Sequence, residues 1–75
     1  MKPPLVRVEW DDAWSDHDET GAKDWADHTP VVTVGYLVRS TRRVVSVASE
    51  VVSEGRYRCV THIPRSIVRR VVRVR

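Results

Sequence analysis

Valine alternates with arginine at the C-terminus of this chain, and that pattern constrains the fold more than any other. In Val68–Arg75 the period of two predicts a strand with Val72 and Val74 pointing inward and Arg73 and Arg75 pointing outward. Arg56–Ile63 predicts a preceding strand, and Pro64 then begins the single tight turn between the two. Two strands joined by so short a turn are expected to close a small β-barrel.

Three further strands are predicted upstream. Leu5–Trp10 alternates between apolar and charged residues and predicts the first strand, with Val6, Val8 and Trp10 on the inward face. Val31–Val38 is apolar on both faces, which indicates a central or sharply bent strand, with Gly35 at the bend. Arg43–Val52 predicts the third strand, with Val45, Val47 and Val51 pointing inward, and residues 53–55 predict a short hairpin connection. We therefore predict an all-β fold, a five-stranded small barrel with a short turn of helix before the last strand.

Size and composition agree with this class. The chain has 75 residues, which suits one domain spanning residues 1–75. It is 41% hydrophobic without any Phe, and its apolar residues are mostly Val, whose branched side chain favours a pleated surface. Because so small a domain has little core of its own, we expect a homo-oligomer.

A long acidic loop, residues 11–30, separates the first two strands. It contains Trp14 and Trp25 and lacks the periodicity of a sustained helix. A loop of this length in a small domain is usually functional or folded back onto the body. The two tryptophans favour folding back, since each has a large apolar area to bury.

Oxygen-bearing side chains in this loop follow the spacing of a calcium loop, with Gly21 at the sharp turn. Lys23 stands where an apolar residue normally packs, an aspartate replaces the final glutamate, and flanking helices are missing. The alternative is a solvated acidic loop that matches the pattern by chance. The candidate calcium ligands are Asp16, Asp18, Thr20, Asp24 and Asp27.

Charge is divided unevenly along the chain. Residues 1–30 hold three basic and eight acidic residues, whereas residues 31–75 hold ten arginines and two acids. Such asymmetry indicates either an anionic partner for the basic part or one part packing against the other. Arginine suits phosphate, because its planar fork donates two parallel hydrogen bonds.

The basic residues of the last two predicted strands are the main candidate site. The first and last strands of a barrel are neighbours, so these side chains are expected to form one surface that binds phosphates, with Trp25 stacking on a base. The alternative is that the arginines pair with the acidic loop or protect a strand edge. The candidate ligand-binding residues are Arg56, Arg58, His62, Arg65, Arg69, Arg70, Arg73 and Trp25.

No catalytic pattern is visible. Cys59 is the only cysteine, which excludes an intrachain disulfide, and it falls on the predicted inward face, where a buried thiol is expected. No nucleophile elbow, phosphate-binding glycine loop or buried carboxylate pair is present, so we expect a protein that is not an enzyme and has no cofactor. Without a signal-peptide pattern or a membrane-spanning run, we expect a cytoplasmic protein with no membrane contact.

The run from Ile63 to Val68, Ile-Pro-Arg-Ser-Ile-Val, is similar to the Ile-Pro-Ser-Asn-Tyr-Val run of SH3 domains. The overall layout also resembles Sm-like barrels, which close with a comparable turn and assemble edge to edge into rings. This resemblance implies an SH3-like barrel, and the SH3 class implies recognition of proline-rich peptides. Ile67 replaces the tyrosine of the SH3 run, and no tryptophan pair follows the second strand. The aromatic residues that form the floor of the SH3 peptide groove are therefore absent from their usual positions.

A second resemblance is to small uncharacterised phage proteins. It rests on the segment Trp10–Trp14, the run Thr33–Leu37 and the Ile-Pro-Arg sequence at the turn before the last strand. It implies a phage protein that sequesters a host nucleotide signal or blocks a host defence protein.

These observations favour a non-enzymatic module that binds an anionic, phosphate-bearing ligand, either nucleic acid or a nucleotide. The alternative is a protein–protein adaptor or inhibitor that docks on a host protein through the SH3-like surface and the acidic loop.

Overall fold

The computed structural model describes residues 3–13, 21 and 29–75, which form one antiparallel sheet. A three-residue 3-10 turn, Arg65–Ile67, precedes the last strand. The predicted all-β class, the five strands and the short helical turn are therefore confirmed. The strands are β1 (Leu5–Asp12), β2 (Thr29–Ser40), β3 (Val44–Ser53), β4 (Arg56–Pro64) and β5 (Val68–Arg73).

The strand order is β4-β3-β2-β1-β5, and β2 changes partner along its length. Its first part, Thr29–Tyr36, pairs with β1, whereas Tyr36–Ser40 pairs with β3. At Gly35 an added Cβ would lie 2.6 Å from the carbonyl oxygen of Ala48 and 2.6 Å from Cγ1 of Val47. Only glycine lets the two strands approach this closely.

The core lies on the inner face of this sheet. Its fully buried members come from β1, β3 and β4, and β2 and β5 add half-buried side chains around them. The inward faces predicted for β1 and for the start of β3 are confirmed. The buried cluster is Val6, Val8, Val45, Val47 and Ile63, and the side chains packed against it are Trp10, Leu37, Ile67, Val68 and Val71.

The inward face predicted for β5 is wrong. Val71, rather than Val72, lies opposite Val8 on β1, and Val74 is 51% exposed. The cause is a β-bulge: β1 pairs with β5 on both sides of Arg69, which is the extra residue. An extra residue interrupts the period of two, so the side chains that follow it change face.

The prediction of a buried Cys59 is also wrong, because this residue is exposed. The β3–β4 ladder pairs Val60 with Ala48 and Arg58 with Glu50 but gives Cys59 no ladder partner, and β2 covers β3 only over Val45–Ala48. The backbone of Cys59 has φ +57°, in the left-handed region that a β-carbon disfavours.

The loop between β1 and β2 begins and ends at other residues than predicted. Pairing continues to Asp12 on β1 and Thr29 on β2, so the connection spans residues 13–28 rather than 11–30. Asp16, Asp18, Thr20, Asp24 and Asp27, the candidate calcium ligands, fall outside the described residues. Within the described part, no helix is long and apolar enough to cross a membrane.

Closure into a barrel was expected but is not seen among the described strands. β4 and β5 are the two outermost strands of the sheet, and neither has a second ladder partner in the described part of the chain. The 3-10 turn at Arg65–Ile67 carries the chain from the edge beside β3 to the edge beside β1. The described strands therefore form one five-stranded antiparallel sheet.

Candidate functional site

The predicted cationic residues lie in several places rather than on one surface. Arg56, Arg58 and His62 belong to β4, whereas Arg69, Arg70 and Arg73 belong to β5. Because β4 and β5 are at opposite ends of the strand order, the two groups lie on different edges of the sheet.

On β5, two arginines are held by carboxylates of β1. The guanidinium of Arg70 lies 3.0 Å from Oε2 of Glu9, and Arg7 contacts the same oxygen at 3.5 Å. Arg69 lies 3.6 Å from Oδ1 of Asp11. These contacts offset the positive charge at this edge, so a phosphate here would compete with carboxylates already in place.

In the β3–β4 hairpin, too, a carboxylate offsets positive charge. Arg58 donates to Oε2 of Glu50 at 3.0 Å, and the Cys59 thiol lies 3.7 Å from the other oxygen of that carboxylate. Arg56 begins β4 immediately after the turn that contains Glu54. Positive charge is therefore mixed with negative charge along the hairpin.

Arg65 is in a different environment, because it packs on the β2–β3 turn. Its Nε donates to the carbonyl oxygen of Thr41 at 3.2 Å, and its terminal NH2 group donates to Oγ of Ser40 at 2.7 Å. Its backbone N–H also donates to the carbonyl oxygen of Arg43 at 2.8 Å. Three hydrogen bonds thus fix Arg65 beside Arg42 and Arg43.

The turn that receives Arg65 is itself ordered by Thr41. The Thr41 hydroxyl oxygen accepts hydrogen bonds from the backbone N–H groups of Arg43 and Val44 at 3.1 and 3.0 Å. The Thr41 N–H donates to the carbonyl oxygen of Val44 at 2.9 Å. A threonine that caps its own turn in this way fixes the backbone from which Arg42 and Arg43 project.

A row of paired residues on the outer face continues this basic region. Arg39 on β2 pairs with Ser46 on β3, which pairs with His62 on β4. Oγ of Ser46 lies 2.7 Å from Nδ1 of His62, while Ser46 itself is 1% exposed. The hydrogen bond orients the imidazole ring and leaves Nε2 available for an outside partner. A substrate would not reach the buried hydroxyl, so the pair is poorly placed for nucleophilic chemistry.

We call this region the cationic end. Segments 39–44 and 62–67, which build it, contain no acidic residue, and no described carboxylate forms an ion pair with its arginines. Sequence reasoning identified His62 and Arg65 but missed the others, although an acid-free stretch from residue 28 to residue 49 was a visible signal. The cationic end consists of Arg39, Arg42, Arg43, His62 and Arg65.

Aromatic side chains lie elsewhere. Trp25, the predicted stacking residue, falls outside the described residues. Trp10 packs on the core and donates from Nε1 to Oγ1 of Thr33 at 2.9 Å, so its ring is already engaged. Tyr36 and Tyr57 line an open groove of about 610 Å³ with Pro3 and hairpin residues 49–55. Within the described residues, no group of three or more metal-binding side chains occurs.

The comparisons with known proteins give no match: no protein-family model, no curated protein and no solved structure is significantly similar to this chain.

Proposed function

We propose that this protein is a non-enzymatic binding module whose cationic end holds an anionic, phosphate-bearing ligand. The observation that carries the proposal is the fixed position of Arg65, which two side-chain hydrogen bonds hold against the β2–β3 turn beside Arg42 and Arg43. Like charges gathered without a carboxylate repel one another, and a bound phosphate relieves that repulsion.

The site is also partly preorganised. The Thr41 turn fixes the backbone that bears two of the arginines, and the hydroxyl of Ser46 orients His62. Side chains and loops that are already ordered lose less entropy when a ligand binds. Phosphate is favoured over carboxylate as the ligand group, because several arginine forks can share its oxygens.

Fluorescence anisotropy with a labelled 20-base-pair DNA duplex and with a labelled adenine nucleotide tests the proposal and distinguishes the two sources of phosphate. If the four arginines each neutralise one phosphate, the log–log slope of duplex affinity against salt is about −3 to −4. The double variant Arg42→Glu/Arg43→Glu is expected to abolish binding. The matched control is Arg56→Glu/Arg73→Glu, which makes the same charge change at other places on the sheet.

Equal loss of binding in both double variants would contradict the proposal, because net charge alone would then explain the effect. An affinity that does not change with salt would contradict it as well. Binding of the nucleotide but not of the duplex would assign the site to a small ligand.

The groove beside the β3–β4 hairpin favours a second candidate function, docking of a protein partner. Two tyrosines, Pro3 and two valines supply apolar contact area, and Glu50 and Glu54 add negative charge. Such a surface suits an extended basic peptide. Binding of peptides that does not require Arg42 or Arg43 would support this second function.

We also propose that the fold is an SH3-like or Sm-like barrel. The strand order, the shared strand β2 and the 3-10 turn after Pro64 support it. The resemblance to phage proteins suggests sequestration of a host nucleotide signal as a setting for the cationic end. Cytoplasmic location is proposed on the sequence pattern alone.

A further inference from the structure

The β3–β4 hairpin extends beyond the part of β3 that β2 covers. β2 pairs with β3 over Val45–Ala48 and otherwise follows β1, whereas β4 stays paired with β3 as far as Ser53. Burial on β3 ends at the same place, because Val45–Ala48 is buried and Ser49 and Glu50 are exposed. In the described part of the chain, Ser49–Ser53 therefore has a ladder partner on one side only, and its other side is an open strand edge.

The backbone of Glu50 directs its hydrogen-bonding groups at this open edge. A Cβ on Gly35 would lie 2.6 Å from the carbonyl oxygen of Ala48, so that carbonyl faces β2. The carbonyl of Arg43 faces the other way, because it accepts from the N–H of Arg65 directly after β4. Backbone groups of a strand alternate between its two neighbours with a period of two. The N–H and C=O of Glu50 therefore point to the β2 side, past the last β2 residue that pairs with β3.

The groove beside the hairpin runs along this edge. Ser49, Glu50 and Val51 are consecutive on β3, and all of them line the groove. Because consecutive strand residues point to opposite faces, a groove that contacts all three follows the edge of the hairpin rather than one of its faces. Tyr36, the β2 residue that pairs with Ala48 where the two strands part, lines the same groove.

If the groove docks a protein partner, as the second candidate function holds, we infer that the partner adds an extended segment as an antiparallel β-strand with an apolar–basic–apolar sequence centred opposite Glu50. The backbone of such a segment supplies hydrogen-bond partners for the N–H and C=O of Glu50. Residues opposite each other on paired strands share a face, so the basic side chain meets the Glu50 carboxylate. The two flanking residues then lie on the face of Val51 and Tyr57, which pair with each other.

The carboxylate of Glu50 has capacity for a second cation. It accepts from Arg58 at 3.0 Å, but its side chain is 49% exposed, and a carboxylate offers about four acceptor sites. Glu9 shows this sharing on β1, where two arginines contact one of its oxygens. Glu54 also lines the groove and adds negative charge. A basic residue is therefore favoured over an acidic one at the centre of the added strand.

The open edge is short, which limits the length of the added strand. The register between β3 and β4 shifts after Val51, so that Val52 is an extra residue on β3. A bulge of this kind bends and twists the strand, and it ends the regular edge. The added strand is consequently about three to five residues long.

NMR titration of the full chain with the synthetic peptide Gly-Val-Arg-Val-Gly, up to about 1 mM, tests the inference. Solvent exchange of the Glu50 amide is expected to slow about tenfold when the site is nearly saturated, while exchange of the Val51 amide, which faces β4, stays unchanged. N-methylation of the peptide's arginine removes the N–H that donates to Glu50 and is expected to weaken binding about tenfold. N-methylation of the valine that follows is the matched control, because that N–H points away from β3.

Equal affinity of the two methylated peptides would overturn strand addition and leave docking at the groove in place. Absence of binding by the parent peptide would overturn both the strand addition and the second candidate function. Glu50→Gln is expected to weaken binding of the parent peptide roughly threefold to fivefold, whereas Glu9→Gln, which removes a similarly paired carboxylate on β1, leaves it unchanged. Equal affinity in these two variants would overturn the preference for a basic residue. The methylated pair uses the wild-type chain, so that comparison does not depend on the folding of a variant.

Discussion

Replacing Gly35 with alanine is expected to be among the most damaging small substitutions in this chain. The new Cβ would lie 2.6 Å from the carbonyl oxygen of Ala48 and 2.6 Å from Cγ1 of Val47, about 0.8 Å inside the shortest ordinary contact of 3.4 Å. The carbonyl is part of the β3 backbone, so it has no rotamer to escape into. β2 and β3 must separate beside the Tyr36–Ala48 pair.

The free energy of unfolding that Gly35→Ala removes has two parts. Overpacking against Val47, which is 2% exposed, typically costs 1–3 kcal/mol. Separation by nearly an ångström also takes one or two ladder hydrogen bonds out of their favourable range, at about 1 kcal/mol each. The sum is about 3 kcal/mol. A domain of 75 residues has roughly 4–11 kcal/mol of stability, so this is a large share of it.

Urea denaturation followed by tryptophan fluorescence measures the effect, because Trp10 packs against the core. With an m-value of about 1 kcal/mol/M, the midpoint is expected to fall by about 3 M. Gly55→Ala is the control: nothing lies within 4 Å of its Cβ, and only the positive φ of 74° costs energy, about 1–2 kcal/mol. A Gly35→Ala midpoint within experimental error of wild type, or above that of Gly55→Ala, would refute the close-contact argument.

Three further substitutions test other parts of the fold. Ile63→Ala removes a core side chain that is 1% exposed and is expected to cost 2–5 kcal/mol, and a melting temperature lowered by under about 5 °C would contradict it. Cys59→Val is expected to destabilise by about 1–2 kcal/mol in urea titrations while Cys59→Asn does not, because asparagine tolerates the left-handed backbone at this position; equal effects would argue against strain. Glu9→Gln is expected to cost at most about 1 kcal/mol at low salt and almost nothing at high salt, and a cost that persists at high salt would show that packing matters more than charge.

Alternation predicted the fold correctly where the strands are regular. Val6, Val8, Val45 and Val47 follow a period of two without interruption, and all of them are buried. It failed on β5, where a bulge at Arg69 changes the face of every later residue. Side-chain period alone does not reveal a bulge, because the extra residue depends on the partner strand.

The site was harder to predict, because the sequence shows charges but not which of them meet. Arg70 and Glu9 are far apart in the chain, yet β1–β5 pairing places them opposite each other. The pairing of the first and last strands was predicted correctly, but the prediction of one basic surface on β4 and β5 depended on barrel closure, and the strand order places these two strands on different edges. The fixed position of Arg65 on the β2–β3 turn arises from tertiary contact and has no local signature.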